Sequence, residues 1–371
     1  MRLVLERSNL LKSLSHIQRV VERRNTIMIL SHVLLKAEHD SLNLKATNLD
    51  IEITENIPAL VEQNGSATLS AHMLYGVVRK LSDQSEVSIF MRDDKNLYMA
   101  AGRSQFQFKI LSESEFPDLT AGEFSHVFRI DSADFKELIS DTQFSMSTEE
   151  TRHYLNGVYL HCAEESGNIM LRSIATDGHR LAQAQTQAPD GADGMPGVII
   201  PRKTVCEVQR LLENSDSLVK IELSDTKIRF TFGSIVLTSK LIDGTFPDYN
   251  RVIPVNNDKE VILDRKLFAT AVDRVSTITS DLGRVIKLSL TKDNLRLSAN
   301  NPDSGSAEEE ISVQYSSHAL DIGFNSKYLL DILNQMSSNK VRFMFFNSGS
   351  PTLIQEKLDA RALYVLMPMR V

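Results

Sequence analysis

Apolar and polar positions alternate from the first residue. Leu3 and Leu5 fall on one side of Met1 to Glu6, with Arg2, Val4 and Glu6 on the other, which predicts a strand. The period then changes. Leu10, Leu14, Ile17 and Val21 recur at 4, 3 and 4, the spacing of one helix face, so a helix is predicted from Leu10 to about Arg23, capped by Ser8 or Asn9. Lys12, His16, Arg19 and Arg23 keep the same rhythm on another face. The helix thus has a core side and a basic side.

This unit returns. Val4-Leu5-Glu6-Arg7-Ser8-Asn9-Leu10-Leu11 is echoed by Phe128-Arg129-Ile130-Asp131-Ser132-Ala133-Asp134-Phe135 and by Val261-Ile262-Leu263-Asp264-Arg265-Lys266-Leu267-Phe268. A second strand–helix unit also comes three times, over Ala67 to Leu81, Gly197 to Leu211 and Leu320 to Leu333. Between the units lie paired strand signals joined by polar turns: Val33–Ala37 with Leu42–Ala46, Val158–Cys162 with Ile169–Ile174, and Ile286–Leu290 with Leu295–Ala299. The copies close on Phe116-Pro117-Asp118-Leu119, Phe246-Pro247-Asp248-Tyr249 and Met367-Pro368-Met369. The chain therefore reads as three α+β domains, 1–122, 123–252 and 253–371, each with two helices backed by antiparallel sheet. The Gly/Pro-rich stretch Ala188 to Gly197 lies inside the second copy and reads as a mobile loop.

Composition narrows the class. A chain of 371 residues with 42% hydrophobic and 24% charged residues suits a soluble protein of two or three domains. No apolar run reaches the length of a membrane span, and the amino terminus lacks a signal-peptide core. Cys162 and Cys206 imply no disulfide framework, point to a reducing cytoplasm, and cannot build a cysteine metal site. No cofactor is expected.

The net charge of −7 argues only weakly against nucleic acid, because phosphate binding depends on where Lys and Arg sit. Each helix carries a basic residue on its polar side: His72, Arg79 and Lys80 in the second, Lys136 in the third, Arg202, Lys203 and Arg210 in the fourth, Lys266 and Arg274 in the fifth, Lys327 in the sixth. They have no interleaved aromatics and no base-reading motif, which suits sequence-independent phosphate contact.

Ala175-Thr176-Asp177-Gly178-His179-Arg180-Leu181-Ala182 is the densest local motif. A hydrolase would need a nucleophile with a base and an oriented third group, and no such set, phosphate loop or paired carboxylate accompanies it. Asp177-Gly178 more simply makes a tight turn, and His179 has no second ligand at metal spacing.

This motif, with Tyr154-Leu155-Asn156-Gly157, Thr238-Ser239-Lys240-Leu241, Phe246-Pro247-Asp248-Tyr249 and Tyr364-Val365-Leu366-Met367-Pro368-Met369-Arg370, strongly resembles the bacterial DNA sliding clamps, the beta subunits of DNA polymerase III. The resemblance covers the whole chain. It implies a head-to-tail homodimeric ring around duplex DNA, a non-catalytic processivity factor, with helices lining the hole and sheets at the rim. Arg24, His72, Arg79, Lys80, Arg202 and Lys203 are then candidates for DNA contact, and His153 and Tyr154 match the family's duplex-contacting loop. Polymerase, clamp loader and repair proteins would insert a short linear peptide into a pocket. The matching positions are Leu155, Thr176, Gly178, His179, Arg180, Leu181, Pro247, Arg251 and Val252, with Asn325, Tyr328, Val365, Met367, Pro368, Met369 and Arg370 from the third domain. Leu, Val, Pro and Met would make an adaptable apolar groove, with Arg and His at its rim and a mobile Met-Pro-Met-Arg tail.

For the dimer, Arg103 to Phe108 alternates as an open edge strand would, with Phe106 and Phe108 on it. Thr277 and Ile278 resemble the facing apolar patch, and Asp303 and Glu308 to Glu310 could meet Arg103 and Lys109 across the joint. The alternative is a repeat-built interaction scaffold that encircles no DNA.

Overall fold

The computed structural model describes residues 1–23, 25–93, 95–119, 122–213, 217–279, 283–356 and 361–371. Among them six α-helices each follow a strand directly: α1 (Arg7–Val20), α2 (Ala71–Val78), α3 (Ser132–Gln143), α4 (Arg202–Leu212), α5 (Arg265–Ser276) and α6 (Ser326–Gln335). The apolar stripe of α1 is buried as its spacing predicts, with Leu10, Leu14 and Ile17 fully covered. Its start differs. The helix begins at Arg7, and no side chain caps it at Glu6.

Arg7 explains the early start. Its amide continues the strand's pairing by donating to the Ser85 carbonyl at 2.9 Å. Its guanidinium donates to the Val78 and Arg79 carbonyls at 3.1 and 2.9 Å, closing the end of α2, where carbonyls have no helical partner. Arg265, at the matching position of the third copy, does the same for α6 through the Leu333 and Ser338 carbonyls at 3.0 and 2.8 Å. In the second copy Arg202 opens α4 and donates to the Met146 and Ser147 carbonyls, just past α3, at 3.2 and 3.4 Å.

The chain forms two compact units: residues 1–133 with 189–192 and 206–241, and residues 134–188 with 193–205 and 242–371. The first holds a five-stranded antiparallel sheet in the order Leu60–Gln63, Arg2–Glu6, Glu86–Asp93, Asn96–Ala101, Ser104–Lys109. It also holds an eight-stranded sheet in the order His126–Ile130, Val219–Leu223, Lys227–Phe232, Ile235–Lys240, Ile51–Pro58, Ser41–Thr47, His32–Glu38, Gly65–Ser70. The second unit repeats the plan. Its eight-stranded sheet runs Val198–Pro201, Gly157–Glu165, Asn168–Thr176, Arg180–Gln187, Ala362–Leu366, Thr352–Gln355, Lys340–Phe345, Lys259–Asp264. Its four-stranded sheet runs Gly305–Ser312, Asn294–Asn301, Val285–Thr291, Leu320–Asn325. All the strand pairings within these sheets are antiparallel, which lets one face pack on helices and the other meet water.

Each eight-stranded sheet crosses from one sequence repeat into the next. In the first unit Ile235–Lys240 pairs with Ile51–Pro58, Leu237 opposite Ile53. In the second, Arg180–Gln187 pairs with Ala362–Leu366, Leu181 opposite Val365. The motifs Thr238-Ser239-Lys240, Thr176 to Leu181 and Tyr364 to Arg370 therefore sit at seams, where a strand must fit two repeats at once.

The stretch 188–197 is anchored at two points, against the loose loop read from the sequence. Ala192 is fully buried and Met195 nearly so. Gly191, at φ +89°, lies where an added Cβ would come within 2.6 Å of the Val127 carbonyl oxygen. Gly191 turns the chain tightly against the protein instead of loosening it.

Candidate functional site

The second seam opens into a groove of about 250 Å³. Leu155, Thr176, Gly178, Arg180, Leu181, Pro247, Val252, Val365 and Met367 line it, nine of the positions expected for a peptide pocket. The Asp177-Gly178 turn shapes one wall as the sequence predicts. Asp177 Oδ1 accepts from the His179 and Arg180 amides at 2.9 and 3.0 Å, and Thr176 Oγ1 accepts from the Gly178 amide at 3.1 Å. Gly178 has φ +90°, and a Cβ there would lie 2.8 Å from Nη1 of Arg152. Arg152, Tyr154, Phe246, Asp248 and Tyr249 complete the lining. Phe246 and Tyr249 stand in a motif already visible in the sequence; nothing in the pattern marks Arg152.

Arg180 is not at the rim. It is 8% exposed, and its guanidinium donates to Asp177 at 3.1 Å, Asp331 at 2.7 Å and the Phe144 carbonyl at 2.8 Å. The Tyr328 ring covers it, with the guanidinium carbon 4.3 Å from the ring centre. Burial with Asp177 nearby raises the Tyr328 phenol above its usual range. Arg180 is a lock between elements, and its charge is spent inside the protein. His179 is exposed beside Tyr328, ring centres 6.4 Å apart. Asn325 caps α6, accepting from the Lys327 and Tyr328 amides at 3.0 and 3.3 Å. Arg251 is exposed and pairs with Asp248 at 2.9 Å.

The carboxyl-terminal residues are pinned, against the mobile tail expected from the sequence. The Met367 amide donates to the His179 carbonyl at 2.9 Å and the Met369 amide to the Gly323 carbonyl at 2.8 Å. Gly323 is glycine for this reason: a Cβ there would lie 2.7 Å from the Met369 oxygen. Pro368 is half-buried and Arg370 exposed. The tail thus forms a fixed wall from which the 39% exposed Met367 side chain projects.

Three domain models of the DNA polymerase III beta subunit match the chain end to end: N-terminal over residues 1–120, central over 129–248 and C-terminal over 250–370. The chain belongs to the DNA polymerase III beta subunit family, the beta sliding clamps. The beta sliding clamp of Caulobacter vibrioides is 48% identical and that of Escherichia coli K12 35% identical, each over the full length of both chains. Among solved structures, the Bartonella birtlesii clamp bound to griselimycin superimposes with a TM-score of 0.97 at 51% identity, and the Caulobacter crescentus clamp with 0.95 at 47%. Both comparisons cover all of each chain. The protein thus carries three beta-clamp domains of antiparallel sheet and paired helices.

The clamp's basic candidates do not share one environment. Arg79 and Lys80 are exposed at the end of α2. His72 is tied inward, its ring nitrogens 3.2 Å from Gln18 Oε1 and from the Val21 carbonyl, so it joins α2 to α1 and is no free cation. Arg202 is exposed, yet its guanidinium is engaged at the end of α3. Lys203 is half-buried, and Arg24 lies outside the described residues. On α1, Lys12 and Arg19 are exposed but His16 turns inward to Glu55 at 3.0 Å, which breaks the basic stripe read from spacing. His153 is exposed near the Asp243 carbonyl, 3.2 Å from its Nε2. Tyr154 does not stand free for a duplex: it packs with Leu155, Phe246 and Tyr249 in the groove's apolar cluster.

The edge candidates fare better as backbone than as side chains. Ser104–Lys109 is an outer strand of the five-stranded sheet, and Gly305–Ser312 is an outer strand of the four-stranded one. Phe108 points into its own core at 6% exposure, so it supports the strand and is not a contact; Phe106 is half-exposed. Arg103 and Phe106 line a groove of about 780 Å³ with Arg79 and Lys80, which unites residues the sequence had assigned to two surfaces. Thr277 and Asp303 are exposed and Ile278 half-buried. Glu308 is already paired with Arg296, and Glu309 with Arg274 at 3.0 Å, so those carboxylates are partly neutralised within the chain. Among the described residues no three His, Cys, Asp or Glu side chains gather as metal ligands, and no helix is long and apolar enough to cross a membrane.

Proposed function

We propose that this sliding clamp works as a head-to-tail homodimeric ring around duplex DNA, with functional domains 1–122, 123–252 and 253–371, and that it carries no catalytic centre of its own. The full-length, in-order match to three clamp domains carries this reading. A ring holds DNA by topology, so its contacts need only be weak, phosphate-directed and free of base readout. Lys12, Arg19, Arg79 and Lys80 supply exposed cations for it, and the family resemblance adds Arg24 and Lys203 as candidates. Closure joins the open edge at Ser104–Lys109 of one protomer to the edge at Gly305–Ser312 of its partner, with Arg103, Phe106, Thr277, Ile278 and Asp303 around the joint.

The groove at the second seam takes the linear peptide of the replicative polymerase, the clamp loader and repair proteins, one at a time. Its apolar walls with a few fixed polar groups are the ordinary composition of a ligand site. Griselimycin bound to the Bartonella clamp supports a ligand-binding role for such a protein. The clamp acts in the cytoplasm, on the nucleoid during replication.

Sedimentation with nicked circular and with linear duplex tests the ring. Protein loaded by its clamp loader is expected to stay on the circle and leave the linear ends. Equal retention on both, or tight salt-insensitive binding to linear DNA, overturns the reading.

A further inference from the structure

The groove wall at Phe246 and Tyr249 rests on a second row of rings. Phe246 stacks on Tyr159, centroids 4.8 Å apart and planes 4° from parallel, and Tyr159 stacks on His161 at 4.8 Å. Tyr159 has little room to shift. A Cβ at Gly197 would lie 2.1 Å from its hydroxyl oxygen, so the ring fits only because residue 197 is glycine. His161 meets the other wall ring, with Nε2 3.1 Å from the Tyr249 hydroxyl and Nδ1 2.9 Å from the Cys162 carbonyl. A carbonyl only accepts, so Nδ1 carries the proton and Nε2 of the neutral ring accepts from Tyr249. Tyr249 in turn accepts from Arg172, whose other donors go to Gln185 and Glu165 at 2.8 and 2.9 Å.

We propose that Tyr159 and His161 are positioning residues for the docking groove: they fix the Phe246 and Tyr249 rings from behind, and they make peptide affinity depend on His161 being neutral. This rests on the peptide-docking reading of the groove. A proton on Nε2 turns an acceptor into a donor. The Tyr249 hydroxyl, already accepting from Arg172, then faces two donors and loses the acceptor for its own hydrogen. Burial holds the His161 imidazole below its ordinary range, so the ring is neutral at neutral pH and charges only on acidification. The other titratable groups around it are Arg172, Tyr249, Tyr159 and Cys162, with Glu165 behind Arg172. Glu165 is held below its ordinary range and Tyr159 and Cys162 above theirs, so the change of charge in mild acid is assigned to His161.

The test is fluorescence anisotropy of a labelled Gln-x-Leu peptide with the full-length protein at about pH 7.5 and about pH 5.5. The variants keep every other residue of the groove, so the quantity read is the difference in slope. Wild-type Kd is expected to rise more on acidification than that of His161→Gln, the difference growing toward about fivefold, the equilibrium weight of one net hydrogen bond, as the ring becomes fully charged. Tyr249→Phe removes the same bond from the other side and carries the same expectation should the glutamine variant fail to fold. Equal slopes in all three proteins overturn the inference. No peptide binding by wild type at either pH overturns the docking reading itself and takes this inference with it.

Discussion

The two seams between repeats are built alike and lined differently. At each, an antiparallel strand pair crosses the join, and a cavity of about 240 Å³ at the first and about 250 Å³ at the second opens beside it. At the first seam Ile53 shares the cavity with Ser15, His16, Arg19, Glu207 and Arg210. Some of those charges are paired: His16 lies 3.0 Å from the buried Glu55 beside the cavity, and Glu207 pairs with Arg210. At the second seam the exposed Pro247, Val252 and Met367 present apolar surface over the buried Leu155, Leu181 and Val365. The shared backbone supplies a hollow. Side chains decide whether it is lined by the protein's own ion pairs or by apolar surface that suits an apolar ligand.

Removing the apolar wall has the largest expected effect. Deleting Met367 to Val371 should abolish binding of a Gln-x-Leu peptide while the protein still sediments as a dimer; unchanged affinity would remove the second seam as the docking site. Arg180→Ala comes next. It strands Asp177 and Asp331 and uncovers the Phe144 carbonyl, a cost of about 3–5 kcal/mol for breaking a buried ion pair, read as a lower urea midpoint. A loss under about 1 kcal/mol would return Arg180 to the rim. Glu55→Ala at the first seam should cost about 1–2 kcal/mol by leaving His16 without its acceptor, and should leave peptide Kd unchanged. A Kd shift there would erase the contrast between seams. The smallest effect belongs to the basic surface: Arg79→Ala and Lys80→Ala should each lower the salt dependence of duplex binding by about one unit of log–log slope, with no change in sequence preference.

Much of this was legible in the chain, and the gaps share one cause. Periodicity identified the first helix and its buried face, because burial of Leu10, Leu14 and Ile17 needs only that they share a side, and the repeat extended the count to six helices. The repeat and the Asp177-Gly178 turn were equally readable, since each depends on near neighbours. What spacing cannot say is which group lies across a face. His16 and His72 look like free cations on a helix and prove to be held by Glu55 and by Gln18 with the Val21 carbonyl. Arg180 reads as a rim charge until Asp331, far away in sequence, is found against it. The tail reads as loose until the Gly323 carbonyl holds it. Most lining residues of the groove were identified by family resemblance, whereas Arg152 became visible only where Gly178 leaves space for its guanidinium.

Hydrogen exchange of the full-length protein, with and without a saturating Gln-x-Leu peptide, tests the contrast most directly. Protection is expected at 176–181 and 364–370, the two sides of the second seam, with no change at 51–55 or 235–240. Protection at the first seam, or none at the second, would contradict it.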